Sequence, residues 1–323
     1  MVNIMKKSLL LLALLIAVIL IFTRNPDKPS ESLPTKSENE QEVNIDHPSE
    51  SQSAKDKFEN EQAVNIIDYT DHAMEPFISR DGQYLFWNSL NDGKNTSLFY
   101  ARRIDDSNFQ FMGVVNGVNG KAPHLDAIAS MDVNNNFYWA STRDWPEIFE
   151  NLQYGKWNNG VVTGVNPVAG DFYIRQPGWI VMDAEISPDG KTLFFVTARF
   201  TGGEVPEESD IGVARKIDGK FVNDSNSEVI LRNINTKDDL EYAPSISADG
   251  MEIFFTRLIV AEKGTRIYVS RRDSIDGPFG KPEPLDIKGN IPEAPSITSD
   301  GQTIYYHKKD GQYFRIYKMR RVS

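Results

Sequence analysis

The chain has no cysteine among its 323 residues, which excludes disulfides, thiolate metal sites and a cysteine nucleophile. That absence suits an oxidising compartment. Histidine is scarce, at four residues, and shows no close metal-ligand spacing. Basic residues are outnumbered, 35 against 46 acids, for a net charge of −11. That balance argues against a nucleic-acid partner, because phosphate binding needs a basic face. Long apolar runs are also missing, apart from the 14 residues of 9–22, fewer than the ~20 of a comfortable membrane span. No Gly-x-Ser-x-Gly elbow and no Walker-type loop occurs, so serine-hydrolase and nucleotidase readings lose support. What remains is ample material for a core, with 40% apolar and 11% aromatic residues.

Three stretches differ in composition. In residues 1–23, Lys6 and Lys7 precede the apolar run, as in a secretion signal. Small residues at the cleavage positions are missing, so an uncleaved anchor is expected, with the lysines on the cytoplasmic side and the rest of the chain exported to the periplasm or cell exterior. A cleaved signal and a secreted protein is the alternative. Residues 24–62 hold ten acids and five bases among Ser, Asn and Pro, which predicts a disordered acidic linker. Residues 63–323 carry the fold.

That third stretch repeats itself. Ile78-Ser-Arg-Asp-Gly82, Ile186-Ser-Pro-Asp-Gly190, Ile246-Ser-Ala-Asp-Gly250 and Ile297-Thr-Ser-Asp-Gly301 mark four units, and Asp132-Val-Asn-Asn-Asn136 is aligned as an irregular fifth. Asp-Gly suits the positive φ of a tight hairpin turn, and the aromatic runs that follow (Phe86-Trp87, Phe194-Phe195, Phe254-Phe255, Tyr305-Tyr306) are strand chemistry expected to fill the core between blades. Third strands such as Arg266-Ile-Tyr-Val-Ser-Arg-Arg272 come next. Four antiparallel strands per unit, five units in all, predict an all-β, five-bladed β-propeller. Residues 64–68, ahead of the first unit, are expected to supply the outer strand of the last blade and close the ring.

The pattern Pro-Ser-Ile-Ser-x-Asp-Gly-x-x-Ile-Phe-Phe, followed by Ile-Tyr-Val-x-Arg, resembles the WD-repeat-like propeller units of the TolB family over about the last four-fifths of the chain. The resemblance implies the fold and leaves function open, because such units occur in envelope proteins, in peptidase accessory domains and in enzymes. It does not extend to the six blades and separate α/β domain of TolB itself. Glu75-Pro76 and Glu293-Ala-Pro295 also look like the acidic strand openings of arabinanase- and xylosidase-like glycoside hydrolases, which are five-bladed propellers.

Propeller topology places candidate residues on one face. Glu75, Asp126, Asp183, Glu241 and Glu293 open the five units and are expected to crowd the channel mouth, joined by Arg143, Trp145, Arg199 and Trp179 as ligand-binding residues. Like charges around a narrow channel would raise carboxyl pKa values or attract a divalent cation; no other cofactor is called for. A three-histidine metal site from His72, His124 and His307 is a weaker geometric option. The acids have a structural alternative, as hydrogen-bond acceptors or ion-pair partners repeated with the fold. Two functions stay open. One is a membrane-tethered, non-catalytic binding module for an envelope protein or glycan. The other is a glycan-active enzyme with Asp183, Glu241 and Glu293 as its acids and base.

Overall fold

The computed structural model describes residues 57–92, 95–121, 123–202 and 205–322. The expected anchor and most of the expected linker lie outside these residues. In chain order the strands are β1 (Phe58–Ala63), β2 (Asn65–Ile67), β3 (Met74–Ile78), β4 (Tyr84–Asn88), β5 (Asn95–Thr96), β6 (Leu98–Arg103) and β7 (Asn108–Val114). Next come β8 (His124–Met131), β9 (Asn136–Ser141), β10 (Leu152–Asn158), β11 (Val161–Pro167), β12 (Trp179–Ile186), β13 (Thr192–Arg199), β14 (Glu208–Ile217) and β15 (Lys220–Asn223). The remainder are β16 (Leu240–Ile246), β17 (Glu252–Ile259), β18 (Gly264–Arg271), β19 (Glu283–Pro284), β20 (Asn290–Ile297), β21 (Thr303–Asp310) and β22 (Tyr313–Arg321).

These strands form five blades around an axis, antiparallel except where β2 joins β7 and β5 joins β8 in parallel, and β3, β8, β12, β16 and β20 are the first strands of their blades. The aromatic pairs explain why the blades pack. Adjacent residues of a strand face opposite sides, so each pair serves two interfaces. Phe86 joins the cluster toward blade two and Trp87 the cluster toward blade five. Phe254 and Phe255 likewise divide between blades five and three, and Tyr305 and Tyr306 between blades one and four. Each such ring, fully buried, contributes roughly 1.5–3 kcal/mol.

The turns are built by a repeated device. Ser79 Oγ donates to Asp81 Oδ1, which also accepts the Gln83 amide, while Gly82 takes φ 68°. The same arrangement recurs at Ser187/Asp189, Ser247/Asp249 and Thr298/Asp300. In blade two the alignment on Asp132 is corrected. Asp132 occupies the serine position, and Asn135, with φ 61°, occupies that of the glycine. Asp132 Oδ1 takes over both tasks, accepting the amides of Asn134 and Asn136.

Ring closure also differs in detail. The outer strand of blade five is β1, paired antiparallel with β22 from Phe58↔Arg321 to Ala63↔Tyr317. The segment expected to close the ring, 64–68, instead supplies β2, which pairs in parallel with β7 and widens blade one to five strands. The linker expectation is thereby corrected from residue 58 onward. The reason is local: only Phe58 of β1 is buried, against Phe254, and the other five residues are exposed and polar or small. Backbone pairing, not an apolar pattern, makes this strand.

Strands β3, β8, β12, β16 and β20 each carry a register slip near the middle, at Met74/Phe77, Ala127/Ser130, Val181/Ala184, Tyr242/Ser245 and Glu293/Ser296. Glu75, Ile128, Ala243 and Ala294 have positive φ there. A bulge of this kind re-aims side chains, and it decides which acids reach the axis.

Candidate functional site

Counting back from the residue before each turn serine or its equivalent (Ile78, Met131, Ile186, Ile246, Ile297) separates the five acids into three positions. Asp126 and Glu241 stand five residues before it, Glu293 four, and Glu75 and Asp183 three. The two at the first position precede the bulge and do one job. Asp126 Oδ1 accepts Arg143 Nη2 at 2.8 Å, and its Oδ2 accepts the Gly120 amide at 2.7 Å. Glu241 Oε1 accepts Arg257 Nε at 2.6 Å, and Oε2 the Thr236 amide at 3.0 Å. Both arginines go on to the carbonyl of a preceding inter-blade loop, Val118 or Ile234. These pairs staple each loop to its blade. Burial pushes the Glu241 carboxyl up, against the opposing pull of the Thr236 amide and Arg257.

The other three acids converge on the axis. Glu75, Asp183 and Glu293, from blades one, three and five, line one cleft with Met74, Asn91, Ile128, Met182 and Tyr242. Among the described residues none of the three meets an arginine or lysine. Glu75 keeps some exposed surface, but its Oε2 is sealed and has no hydrogen-bond partner, while Oε1 accepts Asn91 Nδ2 at 3.2 Å. Asp183 Oδ2 accepts the Ala243 amide at 3.1 Å. Burial, then the charges of Asp183 and Glu293, pushes Glu75 up to about 8. Burial likewise pushes Asp183 up to about 7, with Glu293 adding to it and the Ala243 amide opposing. Tyr242 Oη donates to Glu293 Oε1 at 2.6 Å, and burial raises that phenol well above its ordinary value, so it stays a donor. The fully buried His307 accepts the Glu75 amide at Nδ1, 3.0 Å, which puts its proton on Nε2, 3.4 Å from Glu293 Oε2. The cleft is small, about 60 Å³.

The remaining candidates build walls. Trp145 is buried in an apolar cluster with Ile180 and Phe200 and donates Nε1 to the Trp179 carbonyl at 3.1 Å. Arg199 lies 5.9 Å over the Trp179 ring and pairs with Glu207 and Glu208. Arg143 belongs to the Asp126 staple. His72 accepts the Phe314 amide at Nδ1, and both it and His307 pack on the Phe314 ring; the side chain of His124 lies outside the description. No group of three or more His, Asp or Glu among the described residues is arranged to hold a metal ion. Tyr242 and Asn91 were not anticipated, and Glu75 replaces Glu241 beside Asp183 and Glu293. The offset of three residues, shared by Glu75 and Asp183, was the available signal.

No family of known proteins matches the chain, and no curated protein does. Solved structures match it as a fold. The endo-arabinase of Bacteroides thetaiotaomicron superposes with a TM-score of 0.51 at 12% identity, over 81% of this chain and 98% of that one. The GH62 α-L-arabinofuranosidase domain of Coprinopsis cinerea gives 0.51 at 10%, over 84% and 98%. TolB of Acinetobacter baumannii gives 0.45 at 13% over 77% of this chain, which spans about half that protein's length, 54%. At these identities the likeness is one of propeller architecture alone.

Proposed function

We propose that this propeller is a glycan-active hydrolase working by acid–base catalysis, with Glu75, Asp183 and Glu293 as its carboxyl set. One observation carries the reading: three carboxyl groups from three blades meet in one cleft with no arginine or lysine among the described residues to neutralise them. Clustered carboxyls of this kind are costly for stability, and their usual use is to keep a proton-bearing acid opposite a carboxylate. Glycosidic cleavage needs that pair, one group protonating the leaving oxygen and the other acting on water or the sugar. Glu75 and Asp183, protonated around neutrality, fit the acid's task. Glu293, oriented by Tyr242, fits the other. The repeat symmetry that favoured a structural role for the acids holds only in part, because Glu75 and Asp183 share a position that Ile128, Ala243 and Ala294 fill in the other blades, and Glu293 stands at another.

The same-sized propellers named above act on arabinan and arabinofuranosides, which makes those the first substrates to try. The test is a screen of the purified chain on aryl-arabinofuranosides and polymeric glycans, with Asp183→Asn and Glu293→Gln as controls. Turnover lost in both variants supports the reading. A folded chain that turns over none of them sinks it. A second reading, a non-catalytic binding module for an envelope protein or glycan, is favoured by the apolar cleft wall of Met74, Ile128, Met182, Phe200, Leu240 and Leu258. Saturable glycan binding without turnover, unchanged in Asp183→Asn, would decide for it. In either reading the propeller works outside the cytoplasmic membrane on its N-terminal tether, which protease accessibility in intact cells tests.

A further inference from the structure

The face that carries the Asp-Gly turns repeats a motif of its own. At each blade's third strand one basic residue pairs with the first residue of the second strand, and the next residue donates its amide to the turn. At the interface of blades four and five these residues are Arg271, opposite Glu252, and Arg321. Arg271 Nε reaches Glu252 Oε1 at 2.8 Å, and Arg321 Nη2 reaches Oε2 at 2.5 Å, so one carboxylate lies between two guanidiniums. At the interface of blades five and one the counterparts are Arg320 and Arg103, and Asp106 pairs with both. Both interfaces therefore complete an arginine–carboxylate–arginine bridge from the chain itself.

The interface of blades three and four does not. Its arginines are Arg215 and Arg272, and Thr192 stands opposite Arg215 where Glu252 stands opposite Arg271. Arg215 is held by Asp224 at 2.7 Å, Thr192 Oγ1 at 3.0 Å and Asp276 at 3.2 Å. Arg272 is only 7% exposed, stacks on Phe279 at 4.5 Å and donates Nε to the Gly250 carbonyl at 2.8 Å, as Arg321 does to Gly301. It makes no ion pair, and its two terminal nitrogens have no partner among the described residues. Asp276 pairs with Arg215 and reaches Arg272 only as a nearby charge, as Asp249 does, and its side chain is 86% exposed, against 25% for Asp106 and 16% for Glu252. In front of the two arginines opens a groove of about 500 Å³, flanked by Lys191 and Lys216, a size that suits a small molecule. Asp189 and Asp249 also line it, but each spends an oxygen on its own turn.

We propose that this groove is a binding site for a carboxylate-bearing small molecule, whose carboxylate lies between Arg215 and Arg272 as that of Glu252 lies between Arg271 and Arg321. Paired guanidiniums suit a planar, two-oxygen anion. The site is on the opposite face from the acid cleft and does not depend on it.

The test is an NMR titration of the arginine Nε–Hε signals with glucuronate, acetate, phosphate and sulfate at one ionic strength, which removes general screening. The expected result is a saturable shift at Arg272 and Arg215 with the carboxylates, with the response at Arg215 weakened at least tenfold in Arg272→Gln. Thr192→Glu supplies the missing carboxylate internally. It is expected to abolish the response and to raise Tm, and as a stabilising change it keeps the test valid if Arg272→Gln folds poorly. Asp276→Asn removes a competitor and is expected to tighten binding severalfold. Absence of a saturable carboxylate response overturns the proposal. A response that survives Thr192→Glu, or one confined to phosphate and sulfate, overturns it as well.

Discussion

Asp126 and Glu241 on one side, and Glu75, Asp183 and Glu293 on the other, are the same kind of residue on the same strands within five residues of the same turns. The first two are tied by arginines that also hold a loop carbonyl. The other three face one another across the axis. Side chains five and three residues before a turn should share a face in a regular strand. The bulge between them breaks that phase for Glu75 and Asp183, whereas Glu293, four residues before its turn and paired with His307 ahead of the slip, already has the opposite phase to Asp126 and Glu241. Chemical type therefore says little about an acid in this ring; its distance from the bulge says most.

The comparison can be broken where the two sets should respond oppositely. Asp183→Asn should lower turnover on the substrate found by the screen by roughly 10³-fold with little loss of stability, whereas an inactive wild type or an unaffected variant would merge the two sets. Removing one member of a buried pair strands the other, so Glu241→Ala should cost about 3 kcal/mol in chemical unfolding, with Arg257 left largely buried. Asp126→Ala should cost less, because Arg143 is more exposed.

The axial set should show the reverse sign. Glu75 and Asp183 hold protons up to about 8 and about 7, against ordinary values of 4.5 and 3.8. Between those limits the folded state binds more protons than the unfolded one, so stability falls as pH rises from about 4 to about 8 and levels off beyond. Glu75→Gln removes the share of this loss that Glu75 contributes. At about pH 9 the variant should be more stable than wild type by on the order of 2 kcal/mol, and at about pH 4 nearly equal, by denaturant titration. Turnover should fall across the same upper limit, as the acids lose their protons. The smallest effect is expected of Tyr242→Phe, about 1 kcal/mol from one hydrogen bond to Glu293.

Much of the architecture could be read in advance because it rests on signals that repeat. The Ser-x-Asp-Gly turns and the paired aromatics each recur, and alternation assigns each ring to an interface. β1 could not be read, since its exposed polar side chains look like those of a linker and its partner is remote in sequence. The acid cleft was half legible. Its face and all three of its carboxyls follow from topology, but Asp126 and Glu241 were grouped with them because a bulge leaves no mark in composition. Tyr242 was hidden for a similar reason, as an aromatic residue in a strand usually means core.

The pairing of β1 with β22 has a consequence for biogenesis. β1, the first strand among the described residues, has no partner until β22, the last of them, has been made. Four blades can stack in the meantime, each resting on its predecessor, but the fifth stays without its outer edge and the wheel stays open. Closing the ring thus takes one long-range docking of β1, and until it happens β22 keeps an open edge of the kind to which another chain can pair.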